Sequence, residues 1–553
     1  MLTDQLSDLI LEALQKAAAD GEVVLEGSPP ITLERPKRRE HGDWSTNVAL
    51  VVASSSEGEP RSLAQAIIDR LPPSNLIDRA EVAGPGFLNL HLSPLWLHDV
   101  LRRAADAETP FARSTEGSET RVNVEYVSAN PTGPANVVSG RHAAVGDAIA
   151  NLLEATGCEV VREFYANDAG RQIWLFARSV EAHYLRSFGR EAELPEDGYL
   201  GNYVKDLAED IAAHTGDELL DVDEEKRVAT LREMALARML GSMRLTLERF
   251  GTRFDRWFSE SSLHGSGAVS AAIQRLEQRG WVEERDGARW FLTSRLGDDK
   301  DRVLVRSDGT PTYLGADVAY MLDKFERGFD RLIYVLGSDH HGTLAARSAM
   351  AEALGFGRER VEFPLVQNIT ILRGDETVAA SKRAGVLVPL DEVVEEVGSD
   401  ATRYTFLTRS IDAPLEFDVD LVKEQAPENP VYYTQYAHAR ICSILRKAGE
   451  QGLTSRPGAA QLERLGHASE DALMRKLAAY EEVVPQAARL RAPQRIARYV
   501  EELASAFSAF YRDCRVVSED AALTQARLVL CEAARRVIAD ALRLLGVSAP
   551  ERM

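Results

Sequence analysis

Little in this 553-residue chain is available to staple or anchor it. Its four cysteines, Cys158, Cys442, Cys514 and Cys531, are widely scattered, with no Cys-x-x-Cys pair and no histidine at metal-ligand spacing. That excludes a disulfide framework and a zinc ribbon, and the expectation is reduced, mostly buried thiols and no protein-ligated metal. No apolar run approaches the roughly 18 residues of a membrane span. The opening Met1-Leu2-Thr3-Asp4 has neither the basic region nor the apolar core of a secretory signal, so the expectation is a cytoplasmic protein with no membrane partner. Low-complexity tracts, long blocks of one charge and internal repeats are also missing, which excludes disorder as the organising theme.

What is present is apolar material for several cores, with 45% hydrophobic and 27% charged residues. At roughly 150 residues per domain the length predicts three to four domains. The net charge of -21 argues against a generally nucleic-acid-coated surface and against DNA as a partner. The charge is unevenly spread, however. From Pro430 onward there are 18 Lys and Arg against 14 Asp and Glu, so an acidic body carries a mildly basic, arginine-rich tail. That tail is either a solvated helical surface or a polyanion contact.

Along the chain, residues 1–115 read as a small α+β unit, with a helical stripe at Leu6, Leu9, Ile10 and Ala13 and alternation from Phe87 to Leu92. A polar linker, 110–120, precedes the best βαβ pattern. Val122, Val124 and Tyr126 alternate as a strand, Asn130-Pro131-Thr132-Gly133-Pro134 turn, and Val145, Ile149, Leu152 and Leu153 share a helical face that ends at Gly157. A second strand follows at Val160–Phe164. The stretch 175–280 reads as a charged helical insertion. Strand signals return at Val303–Val305 and Leu332–Leu336. The predicted architecture is a doubly wound α/β sheet whose strands, Val303–Val305 among them, deliver loops to one crevice. After Asn429 the pattern is all helical, with Tyr499, Leu503, Phe507 and Phe510 as one stripe.

Several residues in that crevice suggest chemistry. The Pro/Gly turn presents backbone N–H groups at a helix start, which suits phosphate. Ser381-Lys382-Arg383 forms a short basic loop. Glu125 lies in the first strand, Asn130 follows five residues later at its exit, and Tyr313 and Asp317 lie four apart, hence on one helical face. Two carboxylates with a tyrosine and an asparagine suit a planar guanidinium, which takes paired charge-assisted hydrogen bonds. The adjacent His340 and His341 have no third metal ligand in view.

These motifs amount to a resemblance. Val122 to Pro134, Glu163 to Gly170, Gly297 to Val303 and Asn429 to Arg440 resemble the signatures of bacterial-type arginyl-tRNA synthetases, a family of class I aminoacyl-tRNA synthetases. The C-terminal Asp540-Ala541-Leu542-Arg543 is similar to that family's anticodon-binding signature, and His41-Gly42-Asp43-Trp44 with Asn47 matches its first domain. The resemblance implies ATP-dependent activation of arginine, with Mg2+, and its transfer to arginine tRNA by a monomer. It assigns 1–115 to a tRNA-contacting domain, 116–385 to the catalytic domain, 386–428 to a connecting stem and 429–553 to a helical anticodon-binding domain. Arginine binding carries over to Glu125, Asn130, Tyr313, Asp317 and His340, and tRNA binding to Gln435, Tyr436 and Arg440.

The catalytic signatures depart from the family pattern. In place of the HIGH-type tetrad the chain has Asn136-Val137-Val138-Ser139, and in place of the KMSK-type loop it has Ala379-Ala380-Ser381-Lys382. The positions that carry over are Asn136, Ser139, Ser381 and Lys382 for catalysis, and Pro134, Asn136, Val138, Ser139 and Lys382 for ATP. Val138 stands where the family keeps a glycine against adenine, and a branched side chain there crowds the ring. Three readings remain open: an arginine–tRNA ligase with altered signatures, a non-catalytic binder of arginine or tRNA, and a repurposed paralogue.

Overall fold

Two strands with apolar residues on both faces, Arg121–Glu125 and Arg331–Tyr334, lie side by side and parallel at the centre of a five-stranded sheet. Val122, Val124, Leu332 and Ile333 are all buried, as expected of a parallel sheet covered on both sides. The computed structural model describes residues 2–25, 27–36, 38–54, 58–374, 376–378, 388–424 and 429–553. Across the sheet the order is Val361–Glu362, Arg331–Tyr334, Arg121–Glu125, Glu159–Ala166 and Arg256–Ser259, and every pair is parallel. Strand order therefore reverses between Arg121–Glu125 and Arg331–Tyr334. In a doubly wound sheet, the crevice at the carboxyl ends of such a pair is where ligands bind.

Two expectations need correction. Arg302–Val305 is a strand, but it pairs antiparallel with Ala288–Phe291 in a separate three-stranded sheet and adds no loop to the parallel one. The hairpin formed by Val282–Arg285 and Ala288–Phe291 supplies a ready edge for it. The tight turn after Val305, closed by its bridge to Pro311, sends the chain directly into the helix Tyr313–Glu326. Second, the stretch read as helical is so through Arg171–Ser187, Asn202–Thr215, Glu224–Arg249, Glu260–Gly265 and Ala268–Gln278, but a strand interrupts it. That strand, Arg256–Ser259, joins the sheet edge and is too short for its alternation to be read.

The helix Val137–Ala155 follows the first strand of the sheet and is buried along most of its length. Its close approach depends on Gly146, where a Cβ would stand 2.2 Å from the ring of Tyr126. Arg403 fixes the helix Ser399–Leu407 to this unit. Its buried guanidinium reaches Asp147 at 2.5 Å, Thr252 at 2.8 Å and the carbonyl of Phe250 at 3.1 Å.

An antiparallel four-stranded sheet with helices forms the N-terminal part. It leans on the C-terminal helices through Arg35–Glu482 at 2.7 Å and through Arg103–Glu481 and Asp43–Arg475. After Asp418 the described residues contain no strand, and Tyr499, Leu503, Phe507 and Phe510 are buried as their stripe predicts. All four cysteines are free. Cys514 and Cys531 are buried and Cys158 and Cys442 half-buried, so the expectation of mostly buried thiols holds for two of the four. No helix among the described residues is long and apolar enough to cross a membrane.

Candidate active site

The chain leaves the strand Arg121–Glu125 through a strained turn. Val127 and Ser128 both have positive φ, 69° and 24°, and for a β-branched valine that conformation is an outlier. Such strain typically costs about 1–3 kcal/mol and persists where surrounding contacts over-determine it. Here the Ser128 hydroxyl donates to Glu125 Oε1 at 2.9 Å and accepts from the Tyr165 amide at 3.1 Å. The turn then feeds the helix Val137–Ala155, whose N-cap is Asn136.

Around that helix start lies a cavity of about 430 Å³ at the switch point, with Asn130, Asn136, Val138, Ser139, His142 and His340 in its lining. Val138 reaches into it, 45% exposed. The polar groups of the tetrad are mostly engaged with one another. Asn136 Oδ1 accepts from the Ser139 amide at 3.0 Å and from the Ser139 hydroxyl at 3.3 Å. The Val137 amide donates to the carbonyl of Val388 at 3.2 Å. Asn136 is thus a helix cap with its oxygen turned to its own helix. Pro134 is absent from the cavity lining. Ser381 and Lys382 lie outside the described residues, although the segment that follows them, Val388 to Leu390, is stitched to the helix start by the Leu390 amide on the carbonyl of Ala135 at 2.9 Å.

On the other side of the switch point the chemistry is acidic. Glu125 is buried, and its Oε2 receives Lys324 Nζ at 2.6 Å. Lys324 is itself fully buried, its ammonium 4.2 Å from the ring centre of Tyr320 and 3.9 Å from that of Tyr334. Burial lowers the pKa of Lys324 while Glu125 and Glu163 pull it back up. Asp317 sits 2.9 Å from Arg347. Burial raises the Asp317 carboxyl above the ordinary carboxylate range; Arg347 opposes this and Glu125 adds to it. Glu260, at the end of the edge strand, is also raised by burial, against His264 and with Asp317. One of its oxygens is buried without a hydrogen-bond partner among the described residues. Three carboxylates therefore face two internal cations, an arrangement with room for one more positive charge.

The expected arginine ligands are divided between two openings. Asn130 and His340 line the first cavity. Tyr313 is 59% exposed and lines a second one, of about 930 Å³, together with Glu260, Asp168 and Arg306. Asp317 interacts electrostatically with His340 on one side, and Glu260 with Asp317 on the other, which puts the acid cluster in the partition between the cavities. In the C-terminal helix Pro430–Glu450, Tyr436 is exposed and Arg440 lies 4.6 Å over its ring. Gln435 points inward and is buried, its amide held by Asp400 at 2.8 Å and the carbonyl of Ser548 at 3.0 Å, so it braces the fold. Among the described residues no group of three or more His, Cys, Asp or Glu side chains is placed to hold a metal.

The sequence reading missed Lys324, Arg347, Glu260 and His142. Lys324 continues the face of Tyr313 and Asp317 at helical spacing, and His142 lies three residues after Ser139 on one helix, so both carried a periodic signal. Arg347 and Glu260 arrive from other elements and had none.

Comparison with known proteins accounts for nearly the whole chain. Three family profiles match it: "Arginyl tRNA synthetase N terminal domain" over residues 4–92, "tRNA synthetases class I (R), catalytic domain" over 107–406, and "DALR anticodon binding domain" over 434–553. The arginine–tRNA ligase of Moorella thermoacetica is 46% identical over 551 residues, 99% of this chain and 98% of that protein. That of Heliobacterium modesticaldum is 44% identical over 555 residues, with 99% and 98% covered. The solved arginyl-tRNA synthetase of Thermus thermophilus has the same fold, with a TM-score of 0.77 at 24% identity and both chains fully covered.

Proposed function

This chain belongs to the arginyl-tRNA synthetase family, and from that premise we propose how its two switch-point cavities divide the work of an arginine–tRNA ligase. Of the three readings left open by the sequence, the ligase is the one that the whole-chain relatives carry. The protein is thus an aminoacyl-tRNA synthetase of protein biosynthesis with a class I catalytic fold.

The observation that carries the division of labour is the acid excess in the partition. The guanidinium of arginine enters from the side of Tyr313 and takes the third positive position, against Asp317 and the unpartnered oxygen of Glu260. Arg347, tied to Asp317, favours its ionised form and holds it in place, while Lys324 ties down the neighbouring Glu125. Asn130 and His340 then orient the amino acid from the first cavity, where ATP lies against the helix start with Val138 beside its ring. In activation an arginine carboxylate oxygen attacks the α-phosphorus, the bond from that phosphorus to the bridging oxygen breaks, and pyrophosphate leaves. A tRNA ribose hydroxyl then displaces AMP from the arginyl adenylate.

Mg2+ bound with the ATP phosphates would supply charge neutralisation there. Asp339, exposed at the cavity lip, is a hard oxygen donor suited to its hydration shell. Both cavities are lined by residues that one chain supplies, which supports the expected monomer as the acting unit. On the C-terminal helices, Tyr436 and Arg440 present an outward aromatic and cationic pair for RNA.

The test is arginine-dependent exchange of labelled pyrophosphate into ATP, with and without arginine tRNA, by the unaltered chain. Exchange is expected, and its absence would leave a binder rather than a ligase. Asp317→Ala should abolish arginine binding in calorimetry, and unchanged affinity would remove this residue from the pocket.

A further inference from the structure

The tetrad of this chain contains no histidine, and its own polar groups are mostly engaged with one another. Asn136 Oδ1 and the Ser139 hydroxyl bond each other, and the amides of Ser139 and Val137 go to Asn136 and Val388. Yet the same cavity is lined by an imidazole, that of His142, half-buried on the second turn of the same helix. Among the described residues it has no hydrogen-bond partner, although Asp339 and His340 are near enough to act on it electrostatically. It packs by Gly337, where a Cβ would meet its Cε1 at 3.7 Å. Residues three apart on a helix share a face, and helical side chains lean toward the N-terminus. The ring of His142 therefore lies over the turn that begins with the tetrad, next to the place a histidine at position 139 would fill.

We propose that His142 is the imidazole that takes over from the missing tetrad histidine, donating a ring N–H to an oxygen of bound ATP during arginine activation. Burial lowers its pKa to about 4, Arg141 adds to that and Asp339 opposes it, so at neutral pH the ring is uncharged. One ring nitrogen then donates and the other accepts. A neutral donor already held beside the nucleotide stabilises charge that builds on phosphate at little cost of reorganisation. His340, the other imidazole of the cavity, faces Asp339 at 4.0 Å from a different element, so it does not duplicate this position. The proposal rests on the ligase reading above, since it assigns a group to ATP.

The experiment compares full-length wild type with His142→Phe, His142→Asn and His142→Ala. It measures tRNA-supported pyrophosphate exchange, ATP affinity by calorimetry, and arginine affinity as a check on the fold. His142→Phe keeps an aromatic ring and removes the donor, and its kcat/KM for ATP should fall about 100-fold with arginine affinity unchanged, the scale of one lost transition-state donor. His142→Asn keeps a donor and should retain more activity than His142→Ala. Ser139→His placed in the His142→Ala background should restore exchange by returning the ring to the tetrad. Wild-type exchange and ATP affinity in His142→Phe would overturn the proposal and leave the ligase reading standing. If wild type itself fails to exchange, ATP affinity decides alone. Loss of affinity in His142→Phe then upholds the contact while the ligase reading falls, and unchanged affinity ends both. If His142→Phe does not fold, the other two variants decide in its place: greater activity in His142→Asn than in His142→Ala upholds the contact, and equal activity overturns it.

Discussion

On the acid side of the switch point, Glu125, Asp317 and Glu260 are held among Lys324 and Arg347, charge against charge. On the helix side, Asn136, Ser139 and His142 offer neutral dipoles and a capped helix start. In the proposed division of labour, the first region takes a cation because its buried charge balance is one short, and the second takes a polyanion without a described cation in its lining. A buried carboxylate cluster fails as a whole when one member goes, because every remaining charge is stranded in a poor solvent. A row of neutral donors loses one bond at a time.

The largest effect that contrast predicts is Lys324→Met, which leaves Glu125 buried without its cation. Removing one partner of such a pair costs about 3–5 kcal/mol. The urea midpoint followed by tryptophan fluorescence should fall accordingly, and an unchanged midpoint would show that Glu125 does not depend on Lys324.

Glu260→Gln comes next. Losing a charged hydrogen-bond acceptor should weaken arginine by about 1.5–3 kcal/mol in calorimetry. Glu260 and Asp317 both titrate above the ordinary carboxylate range, chiefly through burial. Acidification from neutral pH therefore protonates them early and should lower arginine affinity in wild type, less steeply in Glu260→Gln. Their effect on stability has the opposite sign. Acids with raised folded pKa values contribute stability below their unfolded pKa, and that contribution is lost as pH rises through the folded value. Ligand-free protein should thus gain stability from these two groups on mild acidification. A flat arginine affinity across the weakly acidic range would break the comparison.

On the helix side Asn136→Ala should cost about 1 kcal/mol, the usual loss of an N-cap, seen as a lower melting temperature with arginine affinity intact. Asn136→His removes the same cap, so restoring the family residue there carries this cost before any gain toward ATP. If Asn136→Ala abolished arginine binding, the two sides would not be independent. The smallest effect is expected far from both cavities. Arg440→Ala should reduce the slope of log affinity for tRNA against log salt by about one, without changing pyrophosphate exchange.

Much of the helix side was legible beforehand because it is local. The Pro/Gly turn before an apolar helical run, and Gly157 after it, mark the ends of one helix by turn chemistry alone. The pair Tyr313 and Asp317 was legible in the same way, as two positions on one helix. Arg302–Val305 shows the limit, since alternation made it a strand but could not tell which sheet held its partner. Gln435 shows it again, because a polar residue on a helix reads as available until the contact with Ser548, 113 residues away, turns it inward.

The sequence by itself determined the element types, the parallel α/β class, the helical tail and the family, since these follow from periodicity, caps and motif strings that neighbours in the chain carry together. Only the tertiary structure decided that Arg256–Ser259 closes the sheet edge, that Lys324 and Arg347 occupy Glu125 and Asp317, that Glu260 keeps a free oxygen, and that His142 leans into the tetrad's cavity. Those facts depend on burial and on which side chain meets which across elements distant in the chain. In a low-dielectric interior that pairing, more than the identity of any one residue, sets whether a charge is spent on the fold or left for a ligand.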